Sequence, residues 1–354
     1  MTGSLSPTTA TAPLPDARLC VAPMMAWTDR HCRTLHRLFS PHALLFTEMV
    51  TADALIFGNG ARTLEHRPAE YPLVAQLGGA DPERLATATA QISAAGFAEI
   101  NLNVGCPSDR VQRGRFGACL MKEPVLVADC IEAMQAVSTV PITVKCRLGV
   151  DDLDSDEHLH EFTAALVQRG LRRLYLHARK ALLKGLSPAQ NRQIPPLQYE
   201  RGYRLAEAFP ELDIVLNGGI VDAPSALEHL NHMAGVMIGR AAYQHPALLR
   251  ALDDLLWPGS DTTGLSSAAD ERYCLNDWAL TEILTRYRRY MQQELNTGAR
   301  LGDLCRPLHG VFHARKGARH ARRALSDHRR LARGDLGAFD DALTAVQLNE
   351  PIAC

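Results

Sequence analysis

Eight short apolar runs, most of them rich in β-branched residues, recur along the chain and are separated by stretches of helical length. These runs are Leu19–Met24, Ala43–Met49, Pro72–Gly79, Glu99–Gly105, Pro141–Gly149, Arg173–Ala178, Asp213–Gly219 and Gly235–Arg240. Amphipathic helices are predicted between them at Pro82–Ala95, Val125–Val137, Ser155–Arg169, Tyr199–Phe209 and Ala223–His232. Strands that alternate with helices indicate parallel β/α units, and eight units over about 230 residues match the size of a (β/α)8 barrel. A doubly wound sheet is the alternative, but it usually has fewer strands, and no Gly-rich dinucleotide fingerprint follows the first run.

The sequence changes character after Trp257, where a stretch rich in Gly, Ser, Thr and Asp precedes a helical pattern at Asn276–Asn296. Further helical stretches follow, broken by glycine and proline. The predicted division is a flexible tail at 1–17, an α/β TIM barrel at 18–257, a linker at 258–275, a small all-helical domain at 276–340 and a C-terminal tail at 341–354.

The composition is that of an ordinary globular protein, with 354 residues of which 46% are hydrophobic and 22% charged. No apolar run approaches the roughly 20 residues that span a bilayer. The nine cysteines lack a short regular spacing and contain no C-x-x-C pair, which argues against a disulfide framework and a zinc site. Residues 1–17 lack the basic and apolar parts of a signal peptide. The sequence therefore predicts a cytoplasmic protein with reduced thiols, without a metal, a membrane or an obligatory protein partner.

The net charge of −1 conceals a strongly basic segment near the C-terminus. From Ile283 to Arg333 there are thirteen basic residues and three acidic ones, so this segment carries +10 and the remainder carries −11. A solvated helical face can also be rich in arginine. Four histidines and interleaved tyrosines in the same segment favour nucleic acid as the partner.

Chemically distinctive side chains follow the carboxyl ends of the predicted strands, which is where such barrels place their active sites. In strand order they are Met24 and Met25; Glu48; Gln76; Asn101, Asn103 and Cys106; Lys145 and Arg147; His177, Arg179 and Lys180; Asn217, Gly218 and Gly219; Gly239 and Arg240. A single Asn or His at a strand end is more often structural. Their recurrence over eight consecutive strands predicts an active site.

Some of these residues are suited to a cofactor with a phosphate and a planar ring. Asn217–Gly219 and Gly239–Arg240 follow the last two strands, where barrels commonly bind phosphate through backbone N–H groups and an arginine. The amides of Gln76 and Asn103 can pair with a ring edge, and Lys145 can stabilise negative charge on a reduced ring. The set suits flavin mononucleotide, while a Schiff-base role for Lys145, as in aldolases, stays open.

Cys106 follows a glycine and precedes a proline, in a predicted loop that does not place a thiol for core packing. A thiol at this position can act as a general acid, a role that contributes roughly 10²–10⁴ in rate, or as a nucleophile. Cys119, Cys130 and Cys146 are interpreted as ordinary small buried residues.

Nine motifs lie at or near the predicted strand ends: Ala22-Pro-Met-Met, Thr47-Glu-Met, Gln76-Leu-Gly-Gly, Ile100-Asn-Leu-Asn-Val-Gly-Cys-Pro, Arg115-Phe-Gly-Ala-Cys-Leu-Met, Val144-Lys-Cys-Arg, Leu176-His-Ala-Arg, Asn217-Gly-Gly and Gly239-Arg. Over about residues 18–333 the chain resembles the tRNA-dihydrouridine synthases, for which the Asn-x-Gly-Cys-Pro element is highly specific. Trp27-Thr-Asp-Arg-His-Cys-Arg and Gly185-Leu-Ser-Pro are similar to the subfamily that acts at positions 20 and 20a of the tRNA D-loop.

The resemblance implies that FMN, reduced by NADPH, passes a hydride to carbon 6 of a flipped-out uridine while Cys106 protonates carbon 5. It implies FMN contacts at Pro23, Met24, Met25, Gln76, Lys145, His177, Asn217, Gly218, Gly219, Gly239 and Arg240. It also implies tRNA contacts at Asn103, which meets the target uridine, and at Arg179, Lys180, Asn191, Arg192, Arg306 and His309.

Two alternative functions remain compatible with parts of the sequence. A flavin barrel that acts on a small molecule would not need the +10 segment. An RNA-binding protein with an inactive barrel would not need Cys106, Lys145 and His177 together.

Overall fold

The computed structural model describes residues 12–259 and 277–347. Its strands are β1 (Leu19–Val21), β2 (Leu45–Phe46), β3 (Val50–Thr51), β4 (Leu73–Gly78), β5 (Glu99–Asn103), β6 (Ile142–Arg147), β7 (Arg173–His177), β8 (Asp213–Asn217) and β9 (Gly235–Ile238). Its helices are α1 (Arg30–Phe39), α2 (Ala52–Phe57), α3 (Pro82–Ser93), α4 (Asp109–Arg113), α5 (Pro124–Gln135), α6 (Asp156–Gln168), α7 (Tyr199–Ala208), α8 (Ala223–Leu230), α9 (Arg240–Gln244), α10 (Ala247–Leu256), α11 (Asp277–Asn296), α12 (Leu301–Cys305), α13 (Ala318–Ala324), α14 (His328–Arg333) and α15 (Gly337–Ala345).

The strands form one sheet in the order β1-β9-β8-β7-β6-β5-β4-β2, with β3 paired to β4. The recorded pairings are parallel, and a parallel bridge between Cys20 and Leu44 connects β1 to the segment before β2. This order follows the chain around a (β/α)8 barrel, so the predicted fold class is confirmed. The second predicted run, Ala43–Met49, contributes only the two-residue strand β2, and Val50–Thr51 pairs separately as β3.

Side-chain caps explain where several barrel helices begin. The Asp81 side chain accepts a hydrogen bond from the Arg84 N–H, and Pro82 occupies the first helical position of α3. Asp29 caps α1, Ser155 caps α6 and Asp222 caps α8 through the same kind of contact. The predicted helix starts at Pro82 and Ser155 are therefore accurate because the capping residues are local signals.

One compact unit contains residues 12–15, Val50–Gly60 and Leu73–Leu212, and thus β3–β7 with α2–α7. All residues of β4 and β5 are buried in it. The apolar side chains Leu85, Ala88 and Ile92 form the buried face of α3. Burial of such a face supplies the main stabilisation of an amphipathic helix.

The other compact unit contains Asp16–Met49, Ala61–Pro72 and, among the described residues, 213–259 and 277–347. It holds β1, β2, β8, β9, α1 and α8–α15. Helix α11 contacts α1, where the Tyr290 hydroxyl lies 2.7 Å from Nδ1 of His31 and the carboxylate of Glu294 pairs with Arg30 at 2.7 Å. Because the C-terminal helices share this unit with barrel strands, the division into domains at 18–257 and 276–340 stays a prediction.

The predicted segment boundaries fall partly outside the described residues. Residues 1–11 of the N-terminal tail, most of the linker at 258–275 and residues 348–354 of the C-terminal tail lie there. Helix α15 crosses the predicted boundary at residue 340, because Phe339 and Ala342 form a buried apolar face that a tail would lack. Within residues 12–259 and 277–347, no helix combines the length and the apolar character needed to cross a membrane.

Candidate active site

The loop after β5 holds Cys106 through its backbone. Oδ1 of Asn103 accepts hydrogen bonds from the N–H groups of Gly105 and Cys106 at 3.1 and 3.0 Å, and the Cys106 carbonyl accepts one from Ala118. Gly117 adopts φ +75°, and a Cβ there would lie 2.6 Å from the Cys106 carbonyl oxygen, so glycine is required. The thiol is half-buried, 3.5 Å from the Ser108 hydroxyl. The loop therefore holds its backbone in a defined geometry and leaves the thiol partly exposed.

The predicted ring-contacting amides form a buried cluster at the same strand ends. Nδ2 of Asn103 donates to Oε1 of Gln76 at 2.9 Å, and Nε2 of Gln76 donates to Oδ1 of Asn101 at 2.8 Å. Asn103 was predicted to contact the target uridine. In this structure its side chain is almost fully buried and connects Gln76 to the Cys106 loop.

Strand pairing places three basic groups beside this cluster. Lys145 pairs in register with Asn103, and Arg147 pairs with His177 on the next strand. Desolvation, reinforced by the charge of Arg147, lowers the pKa of Lys145 from 10.5 to about 8. Burial and the neighbouring cations hold the pKa of His177 well below its usual range, which makes this imidazole neutral at physiological pH.

His177 also presents an unmet hydrogen-bonding group. Its Nδ1 atom is buried, and the described residues supply no hydrogen-bond partner for it. Buried polar atoms are normally paired, so this nitrogen indicates the position of a ligand group.

Arg147 is a residue of this site that the sequence analysis noted at a strand end but assigned no role. Its guanidinium donates to the carbonyls of Gly105 at 2.9 Å, Lys180 at 3.1 Å and Asn191 at 3.1 Å. It thereby connects the Cys106 loop to the loop after β7, and desolvation lowers its pKa from 12.5 to about 10. The motif Val144-Lys-Cys-Arg was the available signal, since it places a second cation two residues beyond Lys145.

The loop after β7 contains four of the predicted tRNA contacts in different environments. Arg192 is exposed, Lys180 pairs with Asp154 at 3.0 Å, and Arg179 donates to the Pro195 carbonyl. Asn191 is fully buried, and its amide bonds to the backbone of its own loop. Asn191 therefore shapes this loop, and Arg192 has an exposed side chain on it.

In the other unit, the predicted flavin contacts after β1 lie in a tight turn. The Thr28 hydroxyl bonds to both the N–H and the carbonyl of Met24, and Pro23 precedes this turn. The side chain of Met25 is 60% exposed. Trp27, which follows Met25 in this turn, stacks on Tyr243 with ring centroids 4.5 Å apart and so fixes the turn against α9.

The predicted phosphate-binding segments also lie in this unit. Nδ2 of Asn217 donates to the Met237 carbonyl at 2.7 Å, which ties the ends of β8 and β9 together. Gly218 and Gly219 have φ values of +119° and +73°, in the region that favours glycine. A Cβ at Gly239 would lie 4.0 Å from the Cβ of Ala22, in ordinary van der Waals contact, so the backbone beside Arg240 is not crowded. These features fit a phosphate.

The two predicted RNA contacts among the C-terminal helices are partly engaged within the protein. Arg306 forms an ion pair with Asp29, and the half-buried His309 has a pKa lowered by desolvation and by Arg322. Asp29 also caps α1, so Arg306 reinforces the helix start after the Met24 turn.

Ion pairs neutralise part of the basic segment. The pairs among the described residues are Arg286–Glu282, Arg288–Asp340, Arg306–Asp29, Arg315–Asp277 and Arg330 with Asp335 and Asp341. In contrast, Arg319, Arg322 and Arg323 on α13 are exposed, and they make no hydrogen bond or ion pair within the part of the chain that the structure describes. Helix α13 therefore presents the least compensated positive charge.

Comparison with known proteins shows extensive similarity. A family model described as dihydrouridine synthase (Dus) matches residues 20–347. A "tRNA-dihydrouridine(20/20a) synthase" of Xanthomonas axonopodis pv. citri (strain 306) is 49% identical over 310 residues, which cover 88% of this chain and 88% of that protein. A protein of the same description from Yersinia pestis is 46% identical over 346 residues, which cover 97% of this chain and 96% of that protein.

Proposed function

This chain belongs to the dihydrouridine synthase family, and we propose that it reduces uridines 20 and 20a of the tRNA D-loop to 5,6-dihydrouridine with NADPH as reductant. The two relatives at 46% and 49% identity are described as tRNA-dihydrouridine(20/20a) synthases, which supports this substrate. The observation that carries the proposal is the Cys106 loop, in which Asn103 and Gly117 hold a half-buried thiol beside the strand-end cations.

The residues present fit FMN as the cofactor. In the first unit, the unpartnered Nδ1 of His177 and the cations around it suit the polar edge of a flavin ring, which Gln76 and Lys145 would also contact. In the second unit, the turn at Gly218–Gly219 suits a phosphate. The full set proposed to hold FMN is Pro23, Met24, Met25, Gln76, Lys145, His177, Asn217, Gly218, Gly219, Gly239 and Arg240.

Bound FMN would supply the hydride that reduces the uracil ring. The protein's own residues have separate tasks. The thiol of Cys106 donates the proton that completes the reduction, and Asn103 holds the loop that carries it. Lys145 stabilises negative charge, and neutral His177 offers a hydrogen bond without adding charge.

In the second unit, the proposed RNA contacts are the exposed arginine face of α13 together with Arg306 and His309. In the first unit, they are Arg179, Lys180 and Arg192, on the loop that the buried Asn191 shapes. Phosphate contacts dominate nucleic-acid affinity, and uncompensated arginines make them most effectively. A uridine in a folded tRNA must leave its stack to reach a barrel site, so binding energy from these contacts offsets the cost of flipping the base.

We expect simultaneous replacement of Arg319, Arg322 and Arg323 by alanine to weaken tRNA binding and to flatten its salt dependence. If each arginine contacts one phosphate, the slope of log K against log salt should fall by roughly 2–3. Filter binding across a salt series measures this slope. Arg286→Ala and Arg288→Ala are matched controls, because these arginines already pair with Glu282 and Asp340. An unchanged slope in the triple variant would exclude α13 as the RNA surface.

Binding of FMN to the apoprotein should weaken as the pH rises above about 8. Below this pKa Lys145 is already charged, so its protonation adds no pH dependence. Above it the free protein has lost the proton, and the hydrogen bond from a charged Lys145 to the electron-rich edge of the flavin ring must restore it. The affinity should then fall by up to about tenfold per pH unit. Flavin fluorescence titrations between about pH 6.5 and 9.5 test this.

Lys145→Arg provides the matched variant for the pH experiment, because a guanidinium stays charged over this range. Its FMN affinity should vary less with pH than that of the parent. An equally steep decline in Lys145→Arg and the parent would assign the pH dependence to another group.

The function itself is tested with purified protein, NADPH and unmodified tRNA. Sequencing-based mapping should find dihydrouridine at positions 20 and 20a. Its absence, in a protein that binds flavin and tRNA, would overturn the proposed activity.

A further inference from the structure

We propose that a buried chain of hydrogen bonds inside the barrel, from Glu99 through Thr143, Asn101 and Gln76 to Asn103, orients the amides that hold the Cys106 loop. Glu99 and Thr143 are thus positioning residues for the thiol, a role that rests on the proposed function of Cys106 as proton donor.

This series of hydrogen bonds begins at a carboxylate at the start of β5. Glu99 is fully buried and accepts hydrogen bonds from the Thr143 hydroxyl at 2.6 Å and the Tyr175 hydroxyl at 2.9 Å, and it pairs with Arg173 at 3.1 Å. Burial raises the pKa of this carboxyl, and Arg173 and the two hydroxyls oppose that rise. With three donors directed at it, Glu99 acts as the acceptor in each contact.

The acceptor role of Glu99 sets the direction of the next contacts. Because the only hydroxyl hydrogen of Thr143 is directed to Glu99, its oxygen accepts from Nδ2 of Asn101 at 2.9 Å. Oδ1 of Asn101 then faces Nε2 of Gln76 at 2.8 Å. Each amide is thereby oriented by its neighbour.

The remaining contacts reach the loop with the same polarity. Oε1 of Gln76 accepts from Nδ2 of Asn103 at 2.9 Å, and Oδ1 of Asn103 accepts from the N–H groups of Gly105 and Cys106. The series of hydrogen bonds ends at an acceptor, the Glu99 carboxylate, and at donors, the N–H groups of Gly105 and Cys106. The two ends therefore require the same orientation of the amides between them. Reversing any amide would oppose two donors or two acceptors.

These residues occupy positions that a barrel interior usually fills with branched apolar side chains. Gln76, Glu99, Asn101 and Thr143 are each at most 1% exposed. Burying this many polar groups is costly unless every partner is retained, and the satisfied chain gives a single geometry in return. That geometry ends at the backbone of the proposed proton donor.

Replacing Thr143 with valine tests this proposal, because valine preserves shape and removes both links that the hydroxyl makes. Thr143→Ser should restore them. Tyr175→Phe is the matched control, because it removes an equally buried donor from the same carboxylate oxygen without breaking the chain. The first readout is the rate of Cys106 alkylation by iodoacetamide in the apoprotein, followed by mass spectrometry of the Cys106 peptide.

We expect Thr143→Val to accelerate alkylation roughly 2- to 10-fold, the range that loss of one net hydrogen bond produces. Thr143→Ser and Tyr175→Phe should stay within about twofold of the parent. In the flavin-loaded enzyme, Thr143→Val should lower kcat for dihydrouridine formation and leave KM for tRNA unchanged. If Thr143→Val does not fold, Asn101→Leu breaks the next link and should give the same acceleration.

Equal acceleration by Tyr175→Phe and Thr143→Val would show a general loss of packing and overturn the proposal. Parent-like alkylation in folded Thr143→Val or Asn101→Leu would also overturn it. Alkylation is measured without tRNA, so a parent protein that forms no dihydrouridine would contradict the proposed function and leave this comparison interpretable.

Discussion

Replacing Cys106 with alanine should reduce dihydrouridine formation roughly 10²–10⁴-fold, the range expected for a lost general acid. The loop should persist, because its contacts with Asn103 and Ala118 use only the backbone of residue 106. Binding of tRNA should also persist, since phosphate contacts dominate the affinity. The measurement is single-turnover oxidation of reduced flavin after addition of tRNA.

Cys119→Ala is the matched control for this experiment. Cys119 is also half-buried, and its thiol donates to the Phe116 carbonyl in the neighbouring turn. Its replacement should leave the oxidation rate close to that of the parent. A Cys106→Ala enzyme that oxidises as fast as the parent would remove Cys106 from the mechanism, and comparable losses in both variants would indicate a structural effect.

Replacing Glu70 with leucine should lower the free energy of unfolding by about 3–5 kcal/mol, because it leaves the buried guanidinium of Arg33 without a carboxylate partner. Arg33 and Glu70 are each 1% exposed and lie 2.7 Å apart. The other Arg33 contacts, to the carbonyls of Thr28 and Glu65, supply no charge to replace the carboxylate. Urea unfolding of the parent and the variant measures the loss, provided that the free energy of unfolding falls with urea concentration at the same slope in both.

The exposed pair Arg84–Asp53 provides the control for the buried one. Both side chains are more than half exposed, so Asp53→Ala should change the stability by only about 0–1 kcal/mol. Similar effects of Glu70→Leu and Asp53→Ala would show that the buried pair contributes no more than a surface pair.

Local patterns were sufficient to predict most of the barrel. Short apolar runs and helical periodicity depend only on neighbouring residues, so the strand runs and the helix beginning at Pro82 were recognisable in the sequence. The second run was harder, because β2 and β3 each contain only two residues and are defined by their pairing partners.

The site residues also fall into those that the sequence could suggest and those that depend on tertiary contacts. Cys106 could be proposed from the sequence, because it stands between a glycine and a proline in a predicted loop. The need for glycine at position 117 follows only from the close backbone approach in the structure. The burial of Asn191 and the three carbonyl contacts of Arg147 could not be predicted, because they depend on segments far apart in the chain.

The sequence by itself determined the order of strands and helices and the basic character of the C-terminal segment, and it supplied the prediction of the reactive groups. Each of these depends on residue types and on short spacings along the sequence. Tertiary structure alone decided which polar groups are already paired inside the protein. Contacts between distant segments set the direction of the hydrogen bonds that run from Glu99 to Cys106. Such contacts also explain why Arg306 is paired while Arg319 is exposed. Such contacts form only when the chain closes on itself, so no local pattern encodes them.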